Sequence, residues 1–249
     1  QVSITGWDKD IVSVKGELSD QAEGLTFEKD GAYINIKVEM PHRYNNGWNA
    51  KGTVLDIKVP QQVKLSFSGV SSDVALTKLS QSIDVQTVSG NIKANALAQR
   101  IELNSVSGDI DSRDLSGKIS LSTVSGDIND QNSQGRLKIK AVSGNLSSNS
   151  SAAEVFANTV SGEIDLELSK TDELSISTVS GDVDGRLALN NDGRLKMSSV
   201  SGDIDINFTN EVQASFRLKS NAGGNLINRL TSDKATKAKY GPSSKLYFE

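Results

Sequence analysis

The stretch TVSGDI at residues 123–128 carries the pattern that decides the fold: Val-Ser-Gly, then Asp, Asn or Glu, then an aliphatic residue. Seven copies run through the chain. Their glycines lie about 18 residues apart in the earlier copies and slightly farther apart in the last two steps, and a period of this length is typical of a solenoid, in which each repeat forms one coil. The glycines of the seven copies are Gly90, Gly108, Gly126, Gly144, Gly162, Gly181 and Gly202.

The segments between the glycines alternate as strands do. Ile119 and Leu121 are each followed by serine, the period-2 pattern of a strand with one buried face. Ser, Thr, Val and Ile dominate these segments, which favours strands over helices. We therefore predict an all-β fold, a single-stranded parallel β-solenoid (β-helix) with about 18 residues per coil, widening to about 22 toward the C-terminus. We expect it to be right-handed, the usual hand of parallel crossovers.

Each position of the repeat has an expected place in the coil. We expect the valine, as at Val124, and the aliphatic residue four positions later, as at Ile128, to point into the core. The glycine between them is expected to form a corner, because glycine takes a left-handed conformation without steric cost. The residues added in the wider coils, 168–173 and 188–194, are expected to protrude as turns.

The sequence indicates one continuous domain with three parts. Residues 1–69 alternate as strands and are expected to form a cap and the first irregular coils. Residues 70–230 are expected to form the regular repeats, since degenerate copies extend the array to Val70 and Leu226. Residues 231–249 are expected to be an exposed, Lys-rich loop followed by the start of a further strand.

Composition limits the classes of function. The chain has 249 residues, a formal net charge of −4 and no cysteine, which excludes disulfides, thiolate metal sites and cysteine nucleophiles. Lys and Arg are dispersed along the sequence, which argues against nucleic acid as a partner. No apolar run is long enough for a membrane-spanning helix, so we do not expect this chain to span a membrane.

Acidic residues recur one and three positions after the corner glycine and form a possible interaction face. Stacking would align them in a ladder, in which neighbouring carboxylates repel by about 1 kcal/mol in water before screening. Such a ladder could collect Ca²⁺. Asn91 and Asn145 interrupt it, however, and a solvated face needs no metal, so no cofactor is expected and Ca²⁺ is the alternative. The face comprises Asp109, Asp111, Asp127, Asp165, Asp182, Asp184, Asp203 and Asp205.

A possible binding loop surrounds the one histidine of the chain. His42, Tyr44 and Trp48 could stack against a sugar or a partner, or the aromatic rings could pack against the cap. A Ser-His-Asp triad would have to use His42, and no nucleophile motif accompanies it. Catalysis is therefore not expected.

Two other activities have candidate residues. A polysaccharide lyase or hydrolase would work with carboxylates and arginines in a groove, and ice binding would use an exposed threonine ladder. Carboxylates that recur in nearly every coil favour architecture over an active site, and the threonine ladder is interrupted. The groove would use Asp182, Asp184, Asp203, Asp205, Arg186 and Arg194, and the ladder Thr87, Thr123, Thr159 and Thr178.

Three features together resemble a known family: TGWD at residues 5–8, the strand and turn LDIKVP at 55–60, and the repeated TVSGDI. They are similar to the bacterial DUF4097, or adhesin-type, family of extracytoplasmic β-strand-repeat proteins, and the resemblance covers nearly the whole chain. It implies a β-solenoid at the cell envelope and carries over no catalytic residues.

The expected function is a non-enzymatic, adhesin-like interaction scaffold whose partner is an envelope protein or a glycan. The expected location is the periplasm or cell surface, after removal of an N-terminal signal. The alternatives are a polysaccharide-binding or polysaccharide-cleaving β-helix and a Ca²⁺-binding structural repeat protein.

Overall fold

The computed structural model describes residues 1–41, 51–212, 215–220, 224–239 and 241–248. In these residues it contains 21 β-strands and no helix. The strands are β1 (Val2–Trp7), β2 (Ser13–Glu17), β3 (Gly24–Asp30), β4 (Tyr33–Glu39), β5 (Val54–Pro60), β6 (Leu65–Gly69), β7 (Val74–Leu79), β8 (Ser82–Thr87), β9 (Ile92–Ser105), β10 (Ile110–Arg113), β11 (Ser116–Thr123), β12 (Ile128–Gln131), β13 (Gln134–Lys140), β14 (Leu146–Ser150), β15 (Glu154–Asn158), β16 (Ile164–Ser177), β17 (Val183–Ser198), β18 (Ile204–Phe208), β19 (Phe216–Ser220), β20 (Thr236–Lys237) and β21 (Ser244–Phe248).

Most strands belong to two parallel ladders. The first ladder contains the strands that follow the corner glycines, and there Ile110 pairs with Ile92 and Ile128 of the adjacent coils. The second ladder contains the strands that precede the Val-Ser-Gly segments, and there Ile119 pairs with Ile101 in β9 and Leu137 in β13. Each residue thus pairs with the residue one repeat before it and one repeat after it. This register confirms the predicted β-solenoid.

The long strands β9, β16 and β17 contribute their first halves to the first ladder and their second halves to the second. The first ladder runs β5, β1, β7, β9, β10, β12, β14, β16, β17, β18, and the second runs β6, β8, β9, β11, β13, β15, β16, β17. Inward side chains from both ladders belong to a single hydrophobic core. The aliphatic columns of the sequence are therefore the core of the solenoid.

The later coils widen inside their strands rather than in loops. β16 pairs with β17 through register shifts between Leu168 and Glu173. Thr171 and Leu189 lie in the added segments, and both are buried. The predicted widening is confirmed, since Leu174 pairs with Leu195 across a longer repeat than the one that separates earlier partners. The prediction of protruding turns is wrong for Thr171 and Leu189, which are buried. Residues 190–192 are exposed and lie outside the paired register, and Asp192 has a φ of 64°, so a turn at this place stays a prediction.

The N-terminal strand is inserted within the first ladder. β1 pairs in parallel with β5 on one side and β7 on the other, so Val2 lies opposite both Leu55 and Val74. β2 pairs antiparallel with β5 and borders the ladder at this end. β3 and β4 form a separate antiparallel hairpin.

The parallel pairing ends at β18 in the part of the chain that the structure describes. Beyond it, β19 and β20 both pair antiparallel with β21. The rings of Phe216 and Phe248 stack within this small sheet, with centroids 4.6 Å apart. The parallel strands thus stop at Phe208, earlier than the boundary at residue 230 suggested by the sequence.

The valine of the repeat does not face the core. Val124 is 43% exposed, whereas Thr123 before it is only 3% exposed. Strict alternation from Ile119 and Leu121 turns Thr123 inward and Val124 outward, and this alternation overrides side-chain hydrophobicity. The predicted valine core column is therefore wrong in all seven coils. The threonines are also unavailable as a surface ladder, since the buried column contains Thr87, Ser105, Thr123, Ala141, Thr159 and Thr178.

Three of the buried hydroxyls in this column, those of Ser105, Thr123 and Thr159, join successive coils. Thr123 Oγ1 accepts a hydrogen bond from the Gly126 N–H at 3.0 Å and donates one to the Gly108 carbonyl of the preceding coil at 3.3 Å. Ser105 makes the same pair of bonds with Gly108 and Gly90. The hydroxyl therefore satisfies polar backbone atoms that the corner would otherwise bury without partners.

Close stacking of the backbone explains the corner glycines. A Cβ atom on Gly126 would overlap the carbonyl oxygen of Gly108 and lie 2.6 Å from its carbonyl carbon. Each of the other six corner glycines would meet the backbone of the preceding coil in the same way. The predicted left-handed conformation applies only to Gly162, Gly181 and Gly202, and it is wrong for Gly90, Gly108, Gly126 and Gly144.

The left-handed corner of the earlier coils lies elsewhere. It falls six positions after the glycine position and has φ between 53° and 58°. None of its occupants is a glycine. They are Lys78, Ala96, Asp114 and Asn132.

One coil in the middle of the solenoid has a polar interior. Asp130 is fully buried, and its carboxylate accepts hydrogen bonds from Ser112 at 2.6 Å, from Ser133, and from Ser148 at 3.0 Å. Burial raises the pKa of Asp130, and the three serine hydrogen bonds only partly oppose this effect. The fold therefore accommodates the protonated carboxyl better than the carboxylate.

We expect Gly126→Ala to lower the free energy of unfolding by about 1–3 kcal/mol, because its Cβ would collide with backbone atoms that no rotamer change can move. Urea denaturation would measure the change in the free energy of unfolding. Gly24→Ala is the control, since a Cβ atom there would meet nothing within 4 Å. Equal unfolding midpoints for the two variants would contradict the stacking explanation.

We expect Asp130→Asn to stabilise the protein at pH 8 and to have a smaller effect below pH ~4, the usual range of an aspartate pKa. Because the folded-state pKa of Asp130 is raised, its contribution to stability is fully present at low pH and is lost as pH rises through that value. Urea denaturation at several pH values would show a gap between variant and wild type that widens with pH. Asp111→Asn, at an exposed position of the first ladder, is the control, and a gap independent of pH would contradict the prediction.

Candidate functional site

The predicted acidic face separates into two rows. The carboxylates three positions after the glycine lie on strands of the first ladder and are exposed. Asp184 pairs with both Asp165 and Asp205, so these three residues stack in consecutive coils and are called here the acidic row. Asp111 is separate from them, because its neighbours in the ladder are Lys93 and Asn129.

The carboxylates one position after the glycine form a corner row with a structural role. Asp109 Oδ1 accepts a hydrogen bond from the backbone N–H of Asp127 in the next coil at 2.9 Å. Asn91 and Asn145 accept the equivalent bonds through their Oδ1 atoms, so asparagine continues this hydrogen-bonded row. The corner row comprises Asp73, Asn91, Asp109, Asp127, Asn145, Glu163, Asp182 and Asp203.

The exposed valines form a third row beside the corner row. The carbonyls of the first seven, Val70 to Val179, each accept a hydrogen bond from the serine N–H of the next coil, as from Ser125 to Val106 at 2.9 Å. Six of the eight are between 43% and 48% exposed, and the two at the ends, Val70 and Val200, are 70% and 76% exposed. The valine row comprises Val70, Val88, Val106, Val124, Val142, Val160, Val179 and Val200.

A basic cluster lies on the second ladder. Lys118 pairs with Arg100 and Arg136 of the adjacent coils, and Lys138 and Lys140 follow along β13. Arg136 forms an ion pair with Glu154 at 3.4 Å and lies over the Phe156 ring at 4.8 Å. Lys and Arg appear dispersed in the sequence because the coil period separates them. The fold brings five of them onto one face.

The residues of the predicted polysaccharide-cleaving groove do not converge. Arg186 lies in the half of β17 that belongs to the first ladder, and Arg194 lies in the half that belongs to the second. Asp182 and Asp203 belong to the corner row, and Asp184 and Asp205 to the acidic row.

The structure supplies no metal-binding cluster in its described residues and does not describe the predicted binding loop. Within the described residues, no group of three or more His, Cys, Asp or Glu side chains has an arrangement that could hold a metal ion. The possible binding loop of His42, Tyr44 and Trp48 lies outside the described residues. Ca²⁺ binding by the acidic face stays a prediction, and so does ligand binding by this loop.

Comparison with known proteins identifies the family. The family model described as Toastrack DUF4097 matches residues 1–245, almost the whole chain. The chain belongs to the DUF4097 family. This match and the stacked parallel coils agree with the resemblance carried by the TGWD opening and the TVSGDI repeats. No curated protein and no solved structure matches the chain. None of its described residues forms a helix with the length and apolarity needed to cross a membrane.

We expect Asp109→Ala to lower the free energy of unfolding by about 0.5–1.5 kcal/mol, since it removes the acceptor for the Asp127 N–H. Asp109→Asn should leave stability within about 0.5 kcal/mol of wild type, because Asn91 and Asn145 already fill this role. Chemical denaturation of both variants would compare them. A loss as large for asparagine as for alanine would show that charge, rather than the hydrogen bond, matters at this position.

Proposed function

We propose that the protein is a non-enzymatic, adhesin-like scaffold of the cell envelope, which presents a rigid and regular surface to another macromolecule. The observation that carries this proposal is the acidic row. Asp165, Asp184 and Asp205 are exposed and occupy the same position in three consecutive coils.

The acidic row is held in an electrostatically unfavourable arrangement. Parallel pairing sets the backbones of these three residues about 4.8 Å apart from coil to coil, and like charges on neighbouring strands repel. The ion pairs among the described residues are Lys37–Glu39, Arg100–Glu102 and Arg136–Glu154, so none of them neutralises the row. A partner that places cations along the row would relieve this repulsion.

A scaffold role also agrees with the distribution of the other charged residues. Catalysis requires reactive groups that converge on one point, whereas Arg186 and Arg194 lie on different ladders. The location at the envelope, in the periplasm or on the cell surface, rests on the family resemblance. An envelope protein or a glycan is the proposed partner.

The test is a capture experiment with cell-envelope fractions of the source organism. Wild-type protein is compared with the triple variant Asp165→Asn, Asp184→Asn, Asp205→Asn. Any partner captured by wild type is then purified and its binding measured directly. We expect the triple variant to bind it at least about tenfold more weakly, with the difference shrinking at high salt because screening weakens charge pairing.

The control variant carries Asp8→Asn, Asp10→Asn and Asp20→Asn, which remove the same charge from exposed positions near the N-terminus. It should bind like wild type. The proposal fails if both triple variants bind the partner equally, because net charge alone would then explain the attraction. It also fails if wild type captures nothing that binds again after purification.

A further inference from the structure

Among the coils that the structure describes from Val70 to Val200, the valine row is the exposed column with an apolar residue in every coil. The adjacent outward column of the first ladder changes from coil to coil, with Lys93, Asp111, Asn129 and Ser147 in successive strands. A structural need for a β-branched residue does not by itself explain the valine, because threonine is also β-branched and would be better solvated at a half-exposed position. Threonine occurs in none of these eight positions, although it fills the buried position just before several of them.

The row is also rigid. The backbone hydrogen bonds from each serine N–H to the preceding valine carbonyl are 2.8–2.9 Å long and run from Val70 to Ser201. Eight valines at about 4.8 Å per coil give an apolar ridge roughly 34 Å long. A ridge of this kind is ordered before it meets a partner, which lowers the entropic cost of binding.

The two flanks of the ridge differ in charge. On one side, beyond one exposed serine in each coil, runs the corner row, with six carboxylates among its eight residues. On the other side run the second-ladder residues two positions before each valine, which include no carboxylate: Ser68, Gln86, Asn104, Ser122, Lys140, Asn158, Ser177 and Ser198. A matching partner therefore presents an apolar stripe with cations along one edge.

This asymmetry argues against a second copy of the chain as the occupant. Two valine rows packed antiparallel about a two-fold axis would place one corner row against the other, and the carboxylates would repel. A parallel pairing would set each corner row against a flank that offers only Lys140 as a cation. Neither arrangement gives charge complementarity.

An α-helix fits the ridge in both length and repeat. One helical turn rises about 5.4 Å, close to the coil spacing of about 4.8 Å, so apolar residues three and four apart meet successive valines for several turns. A helix of about 22 residues covers the roughly 34 Å of the ridge. Lys or Arg on one edge of its apolar stripe would face the corner row.

We propose that the valine row is the docking site for a basic amphipathic helix of a partner protein. This inference rests on the proposed scaffold function and names a surface distinct from the acidic row. Apolar contact with the valines supplies affinity, and the corner row sets the orientation of the helix.

The test uses three labelled synthetic peptides, each long enough as a helix to cover the ridge, and fluorescence anisotropy. The first is an amphipathic helix with a leucine stripe and lysines along one edge, the second carries glutamates in place of the lysines, and the third is a scrambled form of the first. We expect wild type to bind the first peptide at least about tenfold more tightly than either of the others, since only the first matches both the ridge and its flank.

The protein variant for this test is Val106→Thr, Val124→Thr, Val142→Thr, which keeps β-branched residues and removes apolar surface from three adjacent coils. The matched control is Glu102→Thr, Ser120→Thr, Lys138→Thr, which changes one column of the second ladder in the same three coils. We expect the valine variant to bind the lysine peptide at least about tenfold more weakly, and the control to bind like wild type. Both should keep the wild-type unfolding midpoint within a few degrees.

Three outcomes would overturn the inference. Wild type could fail to bind the lysine peptide, the scrambled peptide could bind as tightly, or the valine variant could bind as wild type does. A fourth outcome comes from light scattering. If wild type self-associates and the valine variant does not, the valine row binds a second copy of the chain instead of a helix. If one of these outcomes occurs while wild type still binds an envelope partner that requires the acidic row, the scaffold function stands and only the helix site is wrong.

Discussion

Stacking of one backbone corner directly on another is the constraint on which the rest of the structure depends. At every corner glycine a Cβ atom would collide with the backbone of the coil before it. Strands in both ladders pair in register only when every coil turns at the same position of the repeat. The contact between successive corners therefore also aligns the side chains in columns. The serine and threonine hydroxyls beneath the corner and the Asx oxygens beside it then satisfy the backbone groups that the tight turn leaves unpaired.

Much of the fold could be predicted from the sequence. A nearly constant repeat length indicates a solenoid, and it also assigns each residue to a column of the stack. The period does not say which of two adjacent residues faces inward. Hydrophobicity favoured Val124 and alternation favoured Thr123, and alternation prevailed because a strand cannot change its phase without a bulge. The sequence also does not reveal the left-handed corner at Ala96 and Asp114. Closure of the coil sets the backbone conformation there, and different residue types occupy the position in different coils.

The candidate surfaces were partly visible in the sequence. Recurrence predicted the acidic columns, but it could not show that the corner carboxylates are hydrogen-bonded to the next coil, because Asp and Asn share the oxygen involved and differ only in charge. The basic cluster was hidden for the opposite reason, since residues a full repeat apart look dispersed until the register is known. The solenoid thus has edges and faces of different chemistry: an apolar ridge, a polar corner and two oppositely charged areas.

The position of β1 bears on the order in which the chain can fold. Most ladder contacts join residues one coil apart, and such local contacts form quickly. Val2 instead pairs with Leu55 and Val74, both separated from it by several times the length of one repeat. The coil ending in β6 and the coil beginning with β7 touch directly in the second ladder, where β6 pairs with β8, but in the first ladder β5 and β7 must leave a gap one strand wide for β1 to fill. Pairing β1 with β5 and β7 has the largest loop-closure entropy cost among the parallel pairings of the array. We therefore expect the repeats to assemble first and β1 to pair last.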